Sequence, residues 1–559
     1  MKKDLKSSGS HRLSDLVDFH TFWPATIVLL AAVIWGIAAP HSFGAAANAA
    51  LGFVTDKFSW LYALVTSFFL FFCLWVMFGK MGKIRFGGPN AKPEFSYFTW
   101  FCITLTSCIA VGILFYCVAE PMGNSTNPPG FTDMAPRSAD AAEAALQYTY
   151  LHWAFHPYSM YAAIGVCIGF MYWNCGQKYR ISSALYPLMG ERCDGRVGSW
   201  INSLCLFAMV AGVGTSFGLG VLQLASGIEY VFHITLPTIP LWAAIIFGYA
   251  LVYILAACSG LKKAISRISD ANVYIYIILL VGVLLLGGTT FILNNTISSS
   301  GSYLDFMLRQ VFYLEPVKQS GWIGDNTIFY WGWWFVYAPV SALFLIKLAK
   351  GRTLREFVIV NMVLPSLFAL VWFGFFGSAA IRVEHFGPGG IAAAIEEYGI
   401  AVALFAFLRT QKFSTIMIVL AFLAMLFSFV TMAQSMSLTM ADMVSARVLR
   451  SQDDRQTAPN SLKAFWGLML AFVAFALLIS GGLSALQTAS IVCGLPIIIL
   501  LLFMMYAFIK AARNPAKYDL TMQGRGSTDP PDLPEDLRRR PDSVGEKQTK
   551  PSAAHKLSQ

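Results

Sequence analysis

The chain has 559 residues, 57% of them hydrophobic and 13% charged, with a mean hydropathy of +0.60. Soluble domains carry about 25% charge, so a chain this poor in charge, with 15 Trp and 45 Phe, is a polytopic membrane protein. Its net charge of +10 belongs in cytoplasmic loops, which excludes nucleic-acid binding as a main role. Ten scattered Cys form no CxxC pair and read as small buried hydrophobes.

Residues 1–20 contain Lys2, Lys3 and Lys6 but no compact apolar region ending in a cleavage site, so they read as a retained cytoplasmic tail. Twelve apolar stretches long enough to span a bilayer follow, near 21–39, 58–82, 98–118, 144–173, 197–224, 240–258, 272–294, 327–349, 355–381, 413–443, 464–480 and 484–511. With the N-terminus inside, 33 of the 40 Lys and Arg fall on the inner side, which predicts both termini cytoplasmic. Within the outer segment 295–326, Leu304, Met307, Leu308, Val311 and Phe312 recur at helical spacing around Asp305 and Arg309. This predicts an amphipathic surface helix. Residues 382–412 hold GPGG at 387–390 and a short apolar stretch, Ile400–Leu408, expected to be re-entrant or capping. The segment 514–559, rich in Pro and charge with Arg538–Arg540, predicts a disordered cytoplasmic tail able to touch anionic lipid.

Few ionisable residues lie inside the spans. Glu120 and Glu229 fall at outer ends, Asp270 and Asp442 at inner ends. No HExxH, GxGxxG or Walker loop occurs, so catalysis is not expected. Aromatics are concentrated instead. Span 8 reads FYWGWWFVYAP, where Trp333, Trp334 and Tyr337 share one helical face. Span 4 reads LHWAFHPYSMY, with Trp153, Tyr158 and Tyr161, and His156-Pro157 interrupts it. Such rings suit a quaternary ammonium, which is weakly hydrated and offers no N–H. An interfacial aromatic belt, including Trp331, is the competing explanation. In span 3, Ser107, Cys108, Ala110 and Gly112 form a small-residue run fit either for close packing or for unwinding.

GILFYCVAEPM, HWAFHPYSMY, FYWGWWFVYAP with LAKGRTLREF, and GGLSALQTASI together resemble the betaine/choline/carnitine transporters, in the right order over most of residues 15–513. The resemblance implies an all-α, LeuT-like fold. Two peripheral helices (21–97) would precede two inverted five-helix repeats, spans 3–7 (98–294) and 8–12 (327–513), in a homotrimer contacted through the 300–316 surface helix. By position, Trp153, Tyr158, Tyr161, Trp333, Trp334 and Tyr337 match the family's aromatic box, and Tyr337 is like the carnitine branch. Cys108, Ile109, Ala110 and Gly112 match the unwound helix. Choline carriers have Asp at the Gly112 position, so its absence here favours a zwitterion carrying its own carboxylate, met by exposed backbone N–H groups.

The resemblance also places a sodium site at Thr431 and Met432. A thioether is a poor sodium ligand, so sodium dependence is not expected there, and no other cofactor is expected. Sodium-independent exchangers of the family place an arginine near the start of span 7, where the matching stretch ISDANVY (268–274) offers Asn272 and no arginine. The expected function is alternating-access transport of an onium zwitterion (carnitine, γ-butyrobetaine, glycine betaine or dimethylsulfoniopropionate) in a bacterial inner membrane. A sodium- or proton-coupled osmolyte or choline symporter, and an osmosensing protein or channel without such transport, are the alternatives.

Overall fold

A computed structural model describes residues 16–108, 110–259, 262–451 and 456–523. Among these residues the chain is all-helical, with two isolated β-bridges and no strand. Among the described residues nine helices are long and apolar enough to cross a membrane, or ten if one bent pair counts as a single span.

α1 (Phe19–Ala38) and α2 (Pro40–Phe78) open the fold. Span 3 is two helices, α3 (Tyr97–Cys108) and α4 (Ala110–Thr126), inclined to each other by 69°. The small-residue run therefore spans the bend between α3 and α4. Span 4 is also divided, into α5 (Ala139–Trp153) and α6 (Phe155–Trp173), with non-helical Ala154 between them (φ −105°, ψ −122°). Pro157 sits in the first turn of α6, where its missing N–H would have had no intrahelical partner.

α7 (Arg196–Phe232), α8 (Thr238–Ser259) and α9 (Lys262–Leu286) follow. The expected span over 272–294 is corrected here, because the helix ends at Leu286. Gly288 takes φ +94°, a left-handed turn suited to glycine. From there α10 (Thr289–Phe312) begins eleven residues before the expected surface helix. Tyr303 and Val311 are buried on α10, whereas Ile297, Leu304, Leu308 and Phe312 are exposed.

α11 (Gly324–Leu348) opens on a π turn, Gly324–Ile328. It is the central helix, 94% buried over its apolar window and packed by α6, α7 and α16 (Asn460–Ala512), whereas α8 is only 28% buried and faces outward. α12 (Leu354–Phe386) leads to α13 (Ile391–Tyr398) and α14 (Ile400–Arg409), which caps α4 and α7, and then to α15 (Ser414–Val444). α16 is broken in its middle by Gly481 and Gly482, the latter at φ +58°.

The GRT-REF loop is a structural staple. Gly351 (φ +78°) turns so tightly that a Cβ would lie 2.3 Å from the Lys92 carbonyl carbon. Arg352 lies over the rings of Tyr97 (3.9 Å) and Trp100 (5.3 Å). Thr353 and Glu356 form a capping box, and Arg355 donates to the Met77 carbonyl at 2.6 Å.

The expected disorder from Asn514 is corrected for its first residues. Pro515–Tyr518 and Leu520–Gln523 are short helices. Leu520 N–H donates to the Asn174 carbonyl (2.9 Å), and the Asn174 amide donates to Asp519 (3.2 Å). These hydrogen bonds offset the ordering entropy of a polar segment. Residues 1–15 and 524–559, including Arg538–Arg540, lie outside the described residues.

Candidate functional site

The break at Ala154 places Trp153 at the end of α5 and Tyr161 on α6, facing the rings of α11. A small cavity of about 20 Å³ lies between them, lined by Cys108, Val111, Gly112, Trp153, Tyr161, Ser216, Trp333, Trp334, Tyr337 and Met432. Trp334 is at its centre. Its ring centroid is 5.7 Å from Trp153, 5.3 Å from Tyr158 and 4.9 Å from Tyr161. Trp153 meets Trp333 edge to face at 6.0 Å, and Tyr161 stacks on Tyr337 at 6.0 Å. Every one of these rings is buried, so they form an internal wall and not a belt. Trp331, open to a belt reading in the sequence, is also buried, against His152 and His156.

Seven of the ten sequence-predicted binding residues, Cys108, Gly112, Trp153, Tyr161, Trp333, Trp334 and Tyr337, line the cavity. Tyr158 stands behind Trp334 instead. Ala110 begins α4, and Ile109 lies outside the described residues. Sequence reasoning missed Val111 and Ser216, whose hydroxyl accepts from Trp333 Nε1 at 3.1 Å. Ser216 carries no local signal, because α7 meets α11 only in the folded chain. Gly112 is pressed between rings: a Cβ there would lie 2.8 Å from Trp153 Cη2 and 2.9 Å from Trp333 Cη2.

Among the described residues, no charged side chain lines the cavity. Several buried donors in and around it lack a partner: Trp334 Nε1 and the hydroxyls of Tyr337, Tyr158 and Ser341. A buried polar group without a hydrogen bond costs about 1–3 kcal/mol, so this cluster is built to meet something polar. A ligand with a bare charge would be poorly compensated. A neutral zwitterion brings its own counter-charge, an onium head for the ring faces and acceptors for the orphan donors.

The model of the betaine/carnitine/choline family transporters matches residues 20–517. The chain belongs to that family. It is 34% identical to a glycine betaine transporter of Bacillus subtilis over 86% of this chain and 92% of that protein. It is 32% identical to an ectoine/hydroxyectoine transporter of Virgibacillus pantothenticus, over 88% of this chain and 95% of the relative. An osmo-independent choline transporter of Acinetobacter baylyi is 32% identical, over 82% and 87%. Family and relatives are transporters, not enzymes.

In this betaine/carnitine/choline family member, the positions expected to hold sodium have other partners. Thr431 donates its hydroxyl to the Phe427 carbonyl at 2.7 Å, one turn back on its own helix. Met432 presents its side chain to the aromatic cavity. A hard cation needs several oxygens, and this pair offers it one hydroxyl oxygen and a thioether. Asn272 is buried and donates to Ser428 at 2.9 Å, joining α9 to α15.

Proposed function

We propose that this protein is a secondary carrier of quaternary-ammonium or related onium zwitterions, of the glycine betaine, carnitine and γ-butyrobetaine type. The single observation that carries the reading is the small, uncharged cavity walled by buried aromatic rings, with unpartnered donors beside it. Tyr161, Trp153, Trp333 and Trp334 would receive the onium head, and the Tyr337 hydroxyl and Trp334 Nε1 its carboxylate. Choline, lacking a carboxylate, fits less well. The Asp expected of a choline carrier at Gly112 would meet two tryptophan rings.

Alternating access follows from a site held between a broken helix and the central α11. Twelve crossings result if α3–α4 and α5–α6 each cross once and α16, broken at Gly481 and Gly482, crosses twice. Spans 3–7 and 8–12 are then the inverted repeats, with both termini cytoplasmic in a bacterial inner membrane. The exposed stripe Ile297, Leu304, Leu308 and Phe312 on α10 supports a homotrimer contact. Sodium has no step in this reading, because Thr431 and Met432 fit it poorly.

The test is flux of labelled glycine betaine and carnitine into proteoliposomes, with and without sodium and with unlabelled substrate preloaded. Saturable, sodium-indifferent entry accelerated by internal substrate is expected. Absence of saturable flux for every onium zwitterion would overturn the carrier reading in favour of an osmosensing protein or channel. Entry only under a sodium gradient would overturn the sodium assignment alone.

A further inference from the structure

Glu120, assigned to an outer helix end by the sequence, is buried in the bundle at 6% exposure. Its Oε1 is 2.5 Å from His152 Nδ1, and its Oε2 accepts from Trp153 Nε1 at 2.6 Å. His152, itself 1% exposed, places its Nε2 3.0 Å from the Thr327 hydroxyl in the π turn that opens α11, and its ring stacks on Tyr330 at 4.4 Å. Among the described residues, neither Glu120 nor His152 is hydrogen-bonded to or ion-paired with a Lys or Arg. A carboxyl and an imidazole thus share the site without a fixed counter-charge, and one of them touches a ring of the substrate cavity.

We propose that Glu120 and His152 form a proton-binding site that couples proton movement to transport; this rests on the carrier reading above. With Glu120 ionised, its carboxylate holds the Trp153 indole by a charge-assisted hydrogen bond. A proton taken from water onto the pair removes the net negative charge that Glu120 otherwise directs at Trp153. That bond weakens, and the Trp153 ring is released against Gly112, Trp333 and Trp334. Because the same ring contacts bound substrate, proton binding and substrate binding are linked, each changing the affinity for the other by the same factor. The proton leaves to water when the opposite side opens, so no other reactant is needed. Ionisable residues buried within a membrane bundle mark ion and proton pathways often enough to be functional-site candidates by default.

The other titratable groups around the pair are Tyr116 on α4, Tyr330 on α11 and His156 on α6, the last across Trp331. Glu315 and Asp325 lie in the segment leading to the π turn. There Glu315 is satisfied by the Ile323 N–H (2.6 Å) and the Ser320 N–H (2.8 Å).

The experiment uses full-length protein in sodium-free proteoliposomes containing a trapped pH-sensitive dye, with glycine betaine added outside. Wild type is expected to acidify the lumen as substrate enters, and an inward gradient of about one pH unit should raise accumulation up to about tenfold per proton carried. Glu120→Asp should keep the acidification. Glu120→Gln and His152→Gln should lose it, so that whatever flux they retain no longer responds to the gradient. Transport by wild type without acidification, or acidification per substrate unchanged in Glu120→Gln, overturns the proposal. Infrared difference spectra of the unliganded protein give an independent reading. A carboxylic-acid band that titrates in wild type and is missing in Glu120→Gln supports the site even if glycine betaine proves not to be carried, and no such band overturns it.

Discussion

Trp153 and Trp334 meet edge to face with centroids 5.7 Å apart and planes at 76°, although 180 residues of chain separate them. The contact joins the end of α5 to the central α11 and forms two adjoining walls of the cavity. One ring presents its edge to the other, and both line the cavity. Truncating Trp153 or Trp334 to Ala should weaken onium binding by about 1–3 kcal/mol, roughly 5- to 150-fold in Kd. Intrinsic-fluorescence titration with glycine betaine and with carnitine measures this, and unchanged affinity in both variants would remove the rings from the site.

Tyr337 has a buried hydroxyl with no partner. Tyr337→Phe should leave thermal stability unchanged or slightly raised, because it deletes an orphan polar atom. It should nonetheless lower zwitterion affinity by about 1.5–3 kcal/mol, the range for a hydrogen bond to a charged group. Choline, having no carboxylate, should bind the variant and the wild type alike. Equal losses for choline and betaine would place the hydroxyl elsewhere in the chemistry.

Gly112 leaves no room for a side chain between Trp153 and Trp333. Gly112→Ala forces at least one ring to move, at about 1–3 kcal/mol of overpacking. Substrate affinity should fall while the folded protein survives. For the same reason Gly112→Asp alone should not create a choline carrier, and a gain of choline flux would show that the rings yield more easily than their packing implies.

Lys347 on α11 is ion-paired with Asp442 on α15, and Asp442 also accepts from the Ala458 N–H at 2.7 Å. The ammonium lies 4.3 Å from the Tyr179 ring centroid. Asp442 is 1% exposed, so Asp442→Asn leaves a partly buried cation unpaired and should destabilise by about 3–5 kcal/mol. Asp442→Asn combined with Lys347→Met should recover part of that loss. Thermal unfolding in detergent compares them.

Asp194, in the loop before α7, faces Arg180 and Lys178. Burial alone would raise its carboxyl, but the two cations together hold it below the ordinary carboxylate value. A depressed native value means that the stabilisation is present above the unfolded value and is lost as pH falls through the native one. Wild type should therefore lose more thermal stability than Asp194→Asn on acidification below the usual Asp range, and parallel losses would discount the pair.

The helical class, the membrane setting and most of the cavity's rings are legible in the chain alone. Apolar runs of bilayer length have no other solvent, and Trp333, Trp334 and Tyr337 follow from helical spacing on one segment. Local signals of this kind are carried by neighbours in the chain. The Gly481–Gly482 break and the interruption near Pro157 belong to the same class, since glycine and proline act on their own backbone.

What the rings surround and what they lean on depend on contacts between distant segments. Whether they formed a belt or a box depended on burial, which spacing cannot report. Ser216 and Met432 reached the wall on helices far from α11 in sequence. Glu120 looked like a helix-end acid because its position along one span gives depth but not neighbours. Folding buried it between His152 and Trp153, and in a low-dielectric interior the identity of those neighbours governs what a carboxyl can do.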